Sequence, residues 1–276
     1  EMCIRDSLKG KVGVVRPTFE EYPNRFPDEQ VITFVPQNGT FRYNAEELIE
    51  FFGQNPVDIL LLINPDNPSG NFITMDGVHK LAQWCEENNM RFVLDESFVD
   101  FSVGFANNTF LNNAILEKYP RMCVMKSISK SYGVPGLRLG ILCSADTDVI
   151  TKIKKQVSIW NINSFAQFFM QIYPKYREDY ERACYQFIKA REDFELELRK
   201  IPFIKVMPSQ ANYFFLEVLP PYNPKKLCAI LLKKYNILAS ACLAKKGIEP
   251  NKYMRIAVRD HGDNAKFIQA MKELRK

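Results

Sequence analysis

Four short segments carry polar and charged side chains directly after, or within, apolar runs. They are 64–70 (NPDNPSG), 95–98 (DESF), 126–133 (KSISKSYG) and 253–256 (YMRI). Taken singly, each has an ordinary structural explanation: a proline-rich turn, a helix cap, a loop or phosphate-binding turn, and an arginine paired with a carboxylate. Ligands of open α/β sheets bind beyond the carboxyl ends of the strands, where three of these segments are expected to lie. Together the four segments predict a ligand site that includes lysine, aspartate and arginine.

The elements that position these segments follow from the hydrophobic pattern. Apolar runs alternate with amphipathic stretches up to about residue 145, which predicts a doubly wound, mostly parallel α/β sheet. The predicted strands are 12–15, 31–35, 59–63, 92–94, 123–125 and 139–142. Helices are expected after Asn44, which opens a capping box with Glu47, and after Thr74, where apolar residues recur at helical spacing.

The pattern changes after Thr151. A charged helical region over 164–199 is interrupted by Pro174, and it is followed by a mixture of strands and helices. The predicted strands are 213–218 and 254–258, and the predicted helices are 224–235 and 263–275. We therefore predict a large sheet domain over 8–160, and a connecting helix with a smaller α+β domain over 161–276.

Composition argues against several classes of protein. The chain has 276 residues and a formal net charge of +5 without a basic run, which disfavours nucleic-acid binding. No apolar stretch is long enough to span a bilayer. Two histidines and seven dispersed cysteines predict neither a metal site nor a disulfide framework, and such thiols suit a reducing cytoplasm. We expect a cytoplasmic protein that acts on small molecules.

The four segments resemble the motifs of the fold-type I aminotransferases of class I/II, which depend on pyridoxal 5′-phosphate. The branch that includes histidinol-phosphate aminotransferase and threonine-phosphate decarboxylase is the most similar. The resemblance extends from about Val12 to the C-terminus. It implies that Lys130 forms an imine with the cofactor and later moves a proton; Lys126, at the strand end, is the alternative. It also implies that Asp95 keeps the pyridine nitrogen protonated and that Asn67 hydrogen-bonds the phenolic oxygen.

The resemblance implies further contacts for the remaining segments. Ser127, Ser129 and Arg138 match the residues that bind the phosphate group of the cofactor. Arg255 matches the arginine that pairs with the substrate carboxylate, and Phe19 matches an aromatic ring stacked on the cofactor. No metal is implied.

The sequence departs from the family pattern at one position of the site and at the start of the chain. Phe98 stands where many members carry a tyrosine that donates to the phenolic oxygen, a feature shared with the threonine-phosphate decarboxylases. Glu96 is expected to point to the opposite side of its strand and to be structural. Roughly 80–100 residues that precede this region in the family are not represented, so we expect an N-terminally truncated chain that binds the cofactor weakly alone. Residues 1–7 are either not native or a short disordered N-terminal tail, and the sequence leaves both alternatives open.

The resemblance implies an aminotransferase that moves an amino group between a keto acid and an amino acid, or a phosphorylated or phosphonate amino compound. Members are homodimers, and 160–163 is the candidate interface. A decarboxylase of a phosphorylated amino acid is the first alternative, and Phe98 favours phosphorylated substrates. The sensor domain of a transcription regulator and one domain of a larger bifunctional enzyme are the others.

Overall fold

The computed structural model describes residues 10–243 and 245–274, so both alternatives for residues 1–7 lie outside the described part. Its larger sheet has six strands in the order β2-β1-β3-β4-β5-β6. All neighbours are parallel except β6, which runs antiparallel to β5. The strands are β1 (Val12–Val15), β2 (Val31–Phe34), β3 (Ile59–Ile63), β4 (Arg91–Asp95), β5 (Met122–Ser127) and β6 (Gly140–Cys143). The prediction of a mostly parallel α/β sheet is confirmed.

Strand β3 shows why this sheet is covered on both faces. Its five residues are all aliphatic and all buried. Leu60 and Leu62 belong to one hydrophobic cluster, whereas Ile59, Leu61 and Ile63 belong to another. Because side chains alternate between the faces of a strand, a run without polar residues requires a core on each side.

Five helices connect or follow these strands: α1 (Ala45–Gln54), α2 (Met75–Glu87), α3 (Asn113–Lys118), α4 (Ile128–Ser131) and α5 (Thr147–Gln156). The capping box predicted for α1 is present, since the Asn44 side chain accepts from the Glu47 backbone N–H, and the Glu47 carboxylate accepts from that of Asn44, both at 2.9 Å. Helix α5 was not predicted, because it has few apolar positions and a single buried residue, Val149.

The rest of the chain forms a second sheet with its own core. Antiparallel strands are ordered β7-β8-β10-β9, with β7 at Ile204–Val206, β8 at Tyr213–Val218, β9 at Ser240–Cys242 and β10 at Tyr253–Ala257. The helices are α6 (Ser164–Ile172), α7 (Arg177–Leu198), α8 (Pro224–Tyr235) and α9 (His261–Glu273). Pro174 falls in a 3₁₀ turn between α6 and α7, as its missing N–H predicts. No described helix is both long and apolar enough to cross a membrane.

The two sheets meet at the loop that follows β3. The Asn64 side chain braces this loop by bonding both backbone groups of Ile73, at 2.8 and 2.9 Å. Gly70 has φ +76°, and a Cβ there would lie 2.2 Å from the Ser209 hydroxyl. The Gln210 N–H donates to the Gly70 carbonyl at 3.0 Å. A glycine is therefore required where the backbone of the second sheet approaches the strand ends of the first.

Candidate active site

A cavity of about 680 Å³ lies between the strand ends of the large sheet and the small sheet. This volume is in the range of small-molecule sites. Phe19, Asn67, Lys130 and Arg255, which the sequence places in the site, line it, and so does Phe98. The first and last of these residues, Phe19 and Arg255, are more than 200 positions apart in the sequence, so the tertiary fold brings them together.

Lys130 and Lys126 have different environments. Lys130 lies on the short helix α4, is exposed, and lines the cavity, with its Nζ 6.0 Å from the Phe98 ring centroid. Lys126 is buried, and its Nζ pairs with Asp100 Oδ1 at 2.7 Å. The other Asp100 oxygen accepts from the Ser131 hydroxyl at 2.7 Å. Lys126 is thus engaged in a buried ion pair, while the amine of Lys130 is available to a ligand.

Asp95 is the last residue of β4, and its carboxylate is held by three donors. Oδ2 accepts from the Tyr22 hydroxyl at 2.6 Å, and Oδ1 accepts from the Ser97 backbone N–H at 2.8 Å and from the Ser97 hydroxyl. These three donors hold the carboxyl group in one orientation at the end of the strand. The sequence does not indicate that Tyr22 contacts Asp95, because Tyr22 lies 73 residues away in a loop without a motif.

The Glu96 side chain forms hydrogen bonds with other residues than those that hold Asp95. Its side chain accepts from the Thr109 hydroxyl at 2.7 Å and from the Phe110 backbone N–H. Burial raises the pKa of Glu96 to about 7, although both hydrogen bonds oppose that shift. These contacts support the structural role expected for it.

Asn67 and Arg255 join the two sheets across the cavity. The Arg255 Nη1 donates to Asn67 Oδ1 at 2.8 Å, and the guanidinium carbon lies 5.0 Å from the Tyr213 ring centroid. Tyr213 in turn donates to the Asp66 carbonyl at 2.8 Å. Among the described residues, the Asn67 amide N–H₂ and most N–H groups of Arg255 have no hydrogen-bond partner, so they can bind a ligand. Tyr213 was not singled out in the sequence because it begins an apolar strand.

Phe19 and the three residues expected to bind the cofactor phosphate have different positions. Phe19 is 39% exposed on the cavity wall. Ser127, Ser129 and Arg138 are not among the residues that line the cavity. Ser127 is half-buried, Ser129 is buried, and exposed Arg138 donates to the Pro135 carbonyl at 3.0 Å. Their phosphate-binding role stays a prediction.

The donor set fits pyridoxal 5′-phosphate. A primary amine on Lys130 faces a cavity that also presents the Asn67 amide, and the buried carboxylate of Asp95 ends the neighbouring strand. These are the groups needed to bind an aldehyde, a phenolic oxygen and a protonated pyridine nitrogen.

Comparison with known proteins agrees with this geometry. The family model for aminotransferase class I and II matches residues 2–271. The chain is 29% identical over 267 residues to CMP-5′-(3-aminopropyl)phosphonate synthase of Streptomyces rubellomurinus, which covers 97% of this chain and 42% of that protein. It is 28% identical over 283 residues to the L-serine phosphate decarboxylase of Sulfurospirillum multivorans. This alignment covers 100% of this chain and 71% of that protein.

A solved structure gives the same result for the fold. A decarboxylase from Sulfurospirillum multivorans superposes with a TM-score of 0.89 at 27% identity, covering 100% of this chain and 79% of that one. The chain spans less than half the length of the phosphonate synthase. The family match and the motifs agree: this chain belongs to the class I and II aminotransferase family, with the fold and the pyridoxal 5′-phosphate cofactor of that family.

Proposed function

We propose that the protein to which this chain belongs is a decarboxylase of a phosphorylated amino acid. The observation that carries the proposal is the similarity to the serine phosphate decarboxylase, which extends over the whole chain in sequence and in fold. Phe98 agrees with the proposal. It lines the cavity at the position where many family members carry a hydrogen-bonding tyrosine, and the threonine-phosphate decarboxylases share this feature. This proposal replaces the aminotransferase reading as the preferred one.

The residues of the cavity have distinct tasks in this reaction. The cofactor, when bound, accepts the electron pair left on Cα when the bond to the carboxylate breaks. Arg255 binds and orients an acidic group of the substrate, since most of its donor fork is free. Phe19, Phe98 and Tyr213 exclude water from the reacting atoms. Lys130 holds the cofactor, and its ammonium returns a proton to Cα after carbon dioxide leaves.

The test follows both products of one substrate. The protein, loaded with the cofactor, is given carboxyl-labelled O-phospho-L-serine or O-phospho-L-threonine, with and without a keto acid. Labelled carbon dioxide in equal amount to the amine product, independent of the keto acid, supports decarboxylation. Turnover that requires the keto acid and retains the label identifies a transaminase and overturns the proposal.

Transamination is the second candidate, because the family itself supports it. The two reactions differ in whether the Cα–carboxylate or the Cα–H bond stands perpendicular to the cofactor ring. The same residues serve both outcomes, so the product assay decides between them. If neither labelled carbon dioxide nor a transamination product forms, the sensor-domain alternative is favoured.

A homodimer is the assembly we propose. Ile159 and Trp160 are each 91% exposed, and Phe165 on α6 is 77% exposed. Large apolar side chains concentrated in one segment indicate a protein interface. Sedimentation or light scattering of the wild type and of Trp160→Glu tests this, with a dimer that the substitution dissociates as the expected result. A wild-type monomer at micromolar concentration would contradict it.

Fusion to a further enzyme domain is consistent with the limited coverage of the phosphonate synthase.

A further inference from the structure

The cavity is lined by three cations and by no acidic residue in the described part of the chain. The cations are Lys130, Lys245 and Arg255. Lys245 lies in the stretch between β9 and β10, outside every motif of the sequence. Cations gathered in one cavity without counter-charges favour anionic ligands, because the cost of bringing them together is offset when an anion binds.

The contacts of Lys245 leave its charge available. Its Nζ donates to the Thr18 carbonyl at 2.6 Å, and it forms no ion pair with any carboxylate of the described residues. Of the two carboxylates whose charges act on Lys245, Glu20 has Oε2 3.5 Å from Arg16, and Asp66 accepts from the Ser69 hydroxyl. Burial lowers the pKa of Lys245, and the positive charge of Arg255 adds to this effect, while Glu20 and Asp66 oppose it.

Arg255 is likewise bound to neutral groups. It contacts the Asn67 amide oxygen and the Tyr213 ring. Lys245 uses one of its three donors and Arg255 one of its five, so both present several N–H groups to the cavity. Two such cations can bind two separate anionic groups of one molecule.

We infer that Lys245 binds the phosphoryl or phosphonyl group of a substrate whose other acidic group is bound by Arg255. This inference rests on the proposed function, in which Lys130 is engaged with the cofactor. An ammonium suits a tetrahedral dianion, since a point charge with rotatable donors needs no planar partner. Lys245 is therefore the residue that distinguishes a phosphorylated amino acid from its unphosphorylated counterpart.

The experiment compares Lys245→Met with Lys246→Met in the cofactor-loaded protein. Lys246 is the matched control, because it is exposed and lies 3.2 Å from Asp28, away from the cavity. Dissociation constants are measured for O-phospho-L-serine and for L-serine by the change in cofactor absorbance. We expect Lys245→Met to weaken phosphoserine binding by about 10–100-fold and serine binding by less than about 2-fold. Lys245→Arg is expected to restore most of the affinity.

A second measurement does not depend on the cofactor. Inorganic phosphate and methylphosphonate are titrated calorimetrically into the cofactor-free wild type and both variants, and circular dichroism confirms that all three are folded. We expect weaker binding of both anions in Lys245→Met. Equal phosphate affinities and an equal phosphoserine-to-serine ratio in Lys245→Met and Lys246→Met would overturn the inference. Equal weakening of both amino acids would show that Lys245 merely braces the loop at Thr18, which also overturns it.

The product assay separates this inference from the proposed function. If phosphoserine binding depends on Lys245 but the product is a keto acid, the decarboxylase proposal fails and the inference stands. If carbon dioxide is released while Lys245→Met leaves the phosphoserine-to-serine ratio unchanged, the reaction stands and the inference fails.

Discussion

The two walls of the cavity are built in different ways. The strand-end wall, formed by Asn67, Phe98 and Lys130, follows buried parallel strands, and the three-donor carboxylate of Asp95 lies at the same strand ends. The cationic wall consists of Ser240 on β9, Arg255 on β10 and Lys245 in the stretch between these strands.

The cationic wall has less support. Strand β9 has three residues and pairs along one side, and Leu238 just before it is 84% exposed. From this difference we propose that the strand-end wall serves the reaction chemistry and that the cationic wall serves substrate selection, since it can vary without disturbing the core. Substitutions in and behind the strand-end wall are expected to alter turnover and stability, whereas the Lys245 variants are expected to alter substrate binding.

Lys130→Ala is expected to have the largest effect. Without the amine, the protein cannot form the borohydride-reducible bond to the cofactor, and turnover is expected to fall by at least about 10²–10⁴-fold. Absorbance spectra and mass spectrometry after borohydride reduction measure this. Lys126→Arg is the control, since it keeps the charge beside Asp100 but removes the primary amine. A reducible adduct that persists in Lys130→Ala and disappears in Lys126→Arg would reverse the assignment.

Asp100→Asn is expected to destabilise the strand-end wall itself. The substitution leaves the buried Lys126 ammonium without a counter-charge, which typically costs about 3–5 kcal/mol. Urea unfolding of the cofactor-free protein measures the loss. Asp193→Asn provides the contrast, because its pair with Lys189 is exposed and screened by solvent, so its loss is expected to leave the unfolding free energy nearly unchanged. Similar losses in both variants would contradict the importance of the buried pair.

Asp95→Asn is expected to reduce turnover by about 10–100-fold, the value of a charged hydrogen-bonded partner. The amide oxygen can still accept from Ser97, and the amide N–H₂ can donate to the Tyr22 hydroxyl oxygen, so the fold is expected to survive while the charge is lost. Steady-state kinetics with a thermal unfolding control measures both. A loss of the same size in Glu96→Gln would show that the negative charge of this strand end, rather than Asp95 itself, is required.

Glu96 gives the smallest effect, in the pH dependence of stability. Its folded pKa of about 7 exceeds the usual 4.5, so the folded state binds more protons between these values. The stabilising contribution is fully present below about pH 4.5 and is lost as the pH rises through 7.

Relative to Glu96→Gln, the wild type should therefore lose on the order of 2 kcal/mol of unfolding free energy between pH 5 and about 7.5. Urea unfolding across this range measures the difference. Asp66, whose pKa burial also raises to about 7, is present in both proteins and cancels. A difference that does not change with pH would contradict the raised pKa.

The sequence by itself determined the elements whose pattern is local. The aliphatic run of β3, the capping box at Asn44 and the helix break at Pro174 each follow from residues within a few positions, and each is present. The motif residues at strand ends could also be placed, because parallel strands bring their carboxyl ends to one edge. The division of the chain near residue 160 stays a prediction, although the two sheets occupy separate stretches of sequence.

Tertiary structure alone decided how these residues are partnered. The three-residue strands β7 and β9 are too short to show alternation, so their pairing depends on β8 and β10. The pairing that engages Lys126 but not Lys130 required Asp100, 26 residues from Lys126, and the support of Asp95 required Tyr22. Lys245 meets the Thr18 carbonyl across 227 residues. Such contacts arise from packing two sheets against each other, and no local pattern of residue types encodes them.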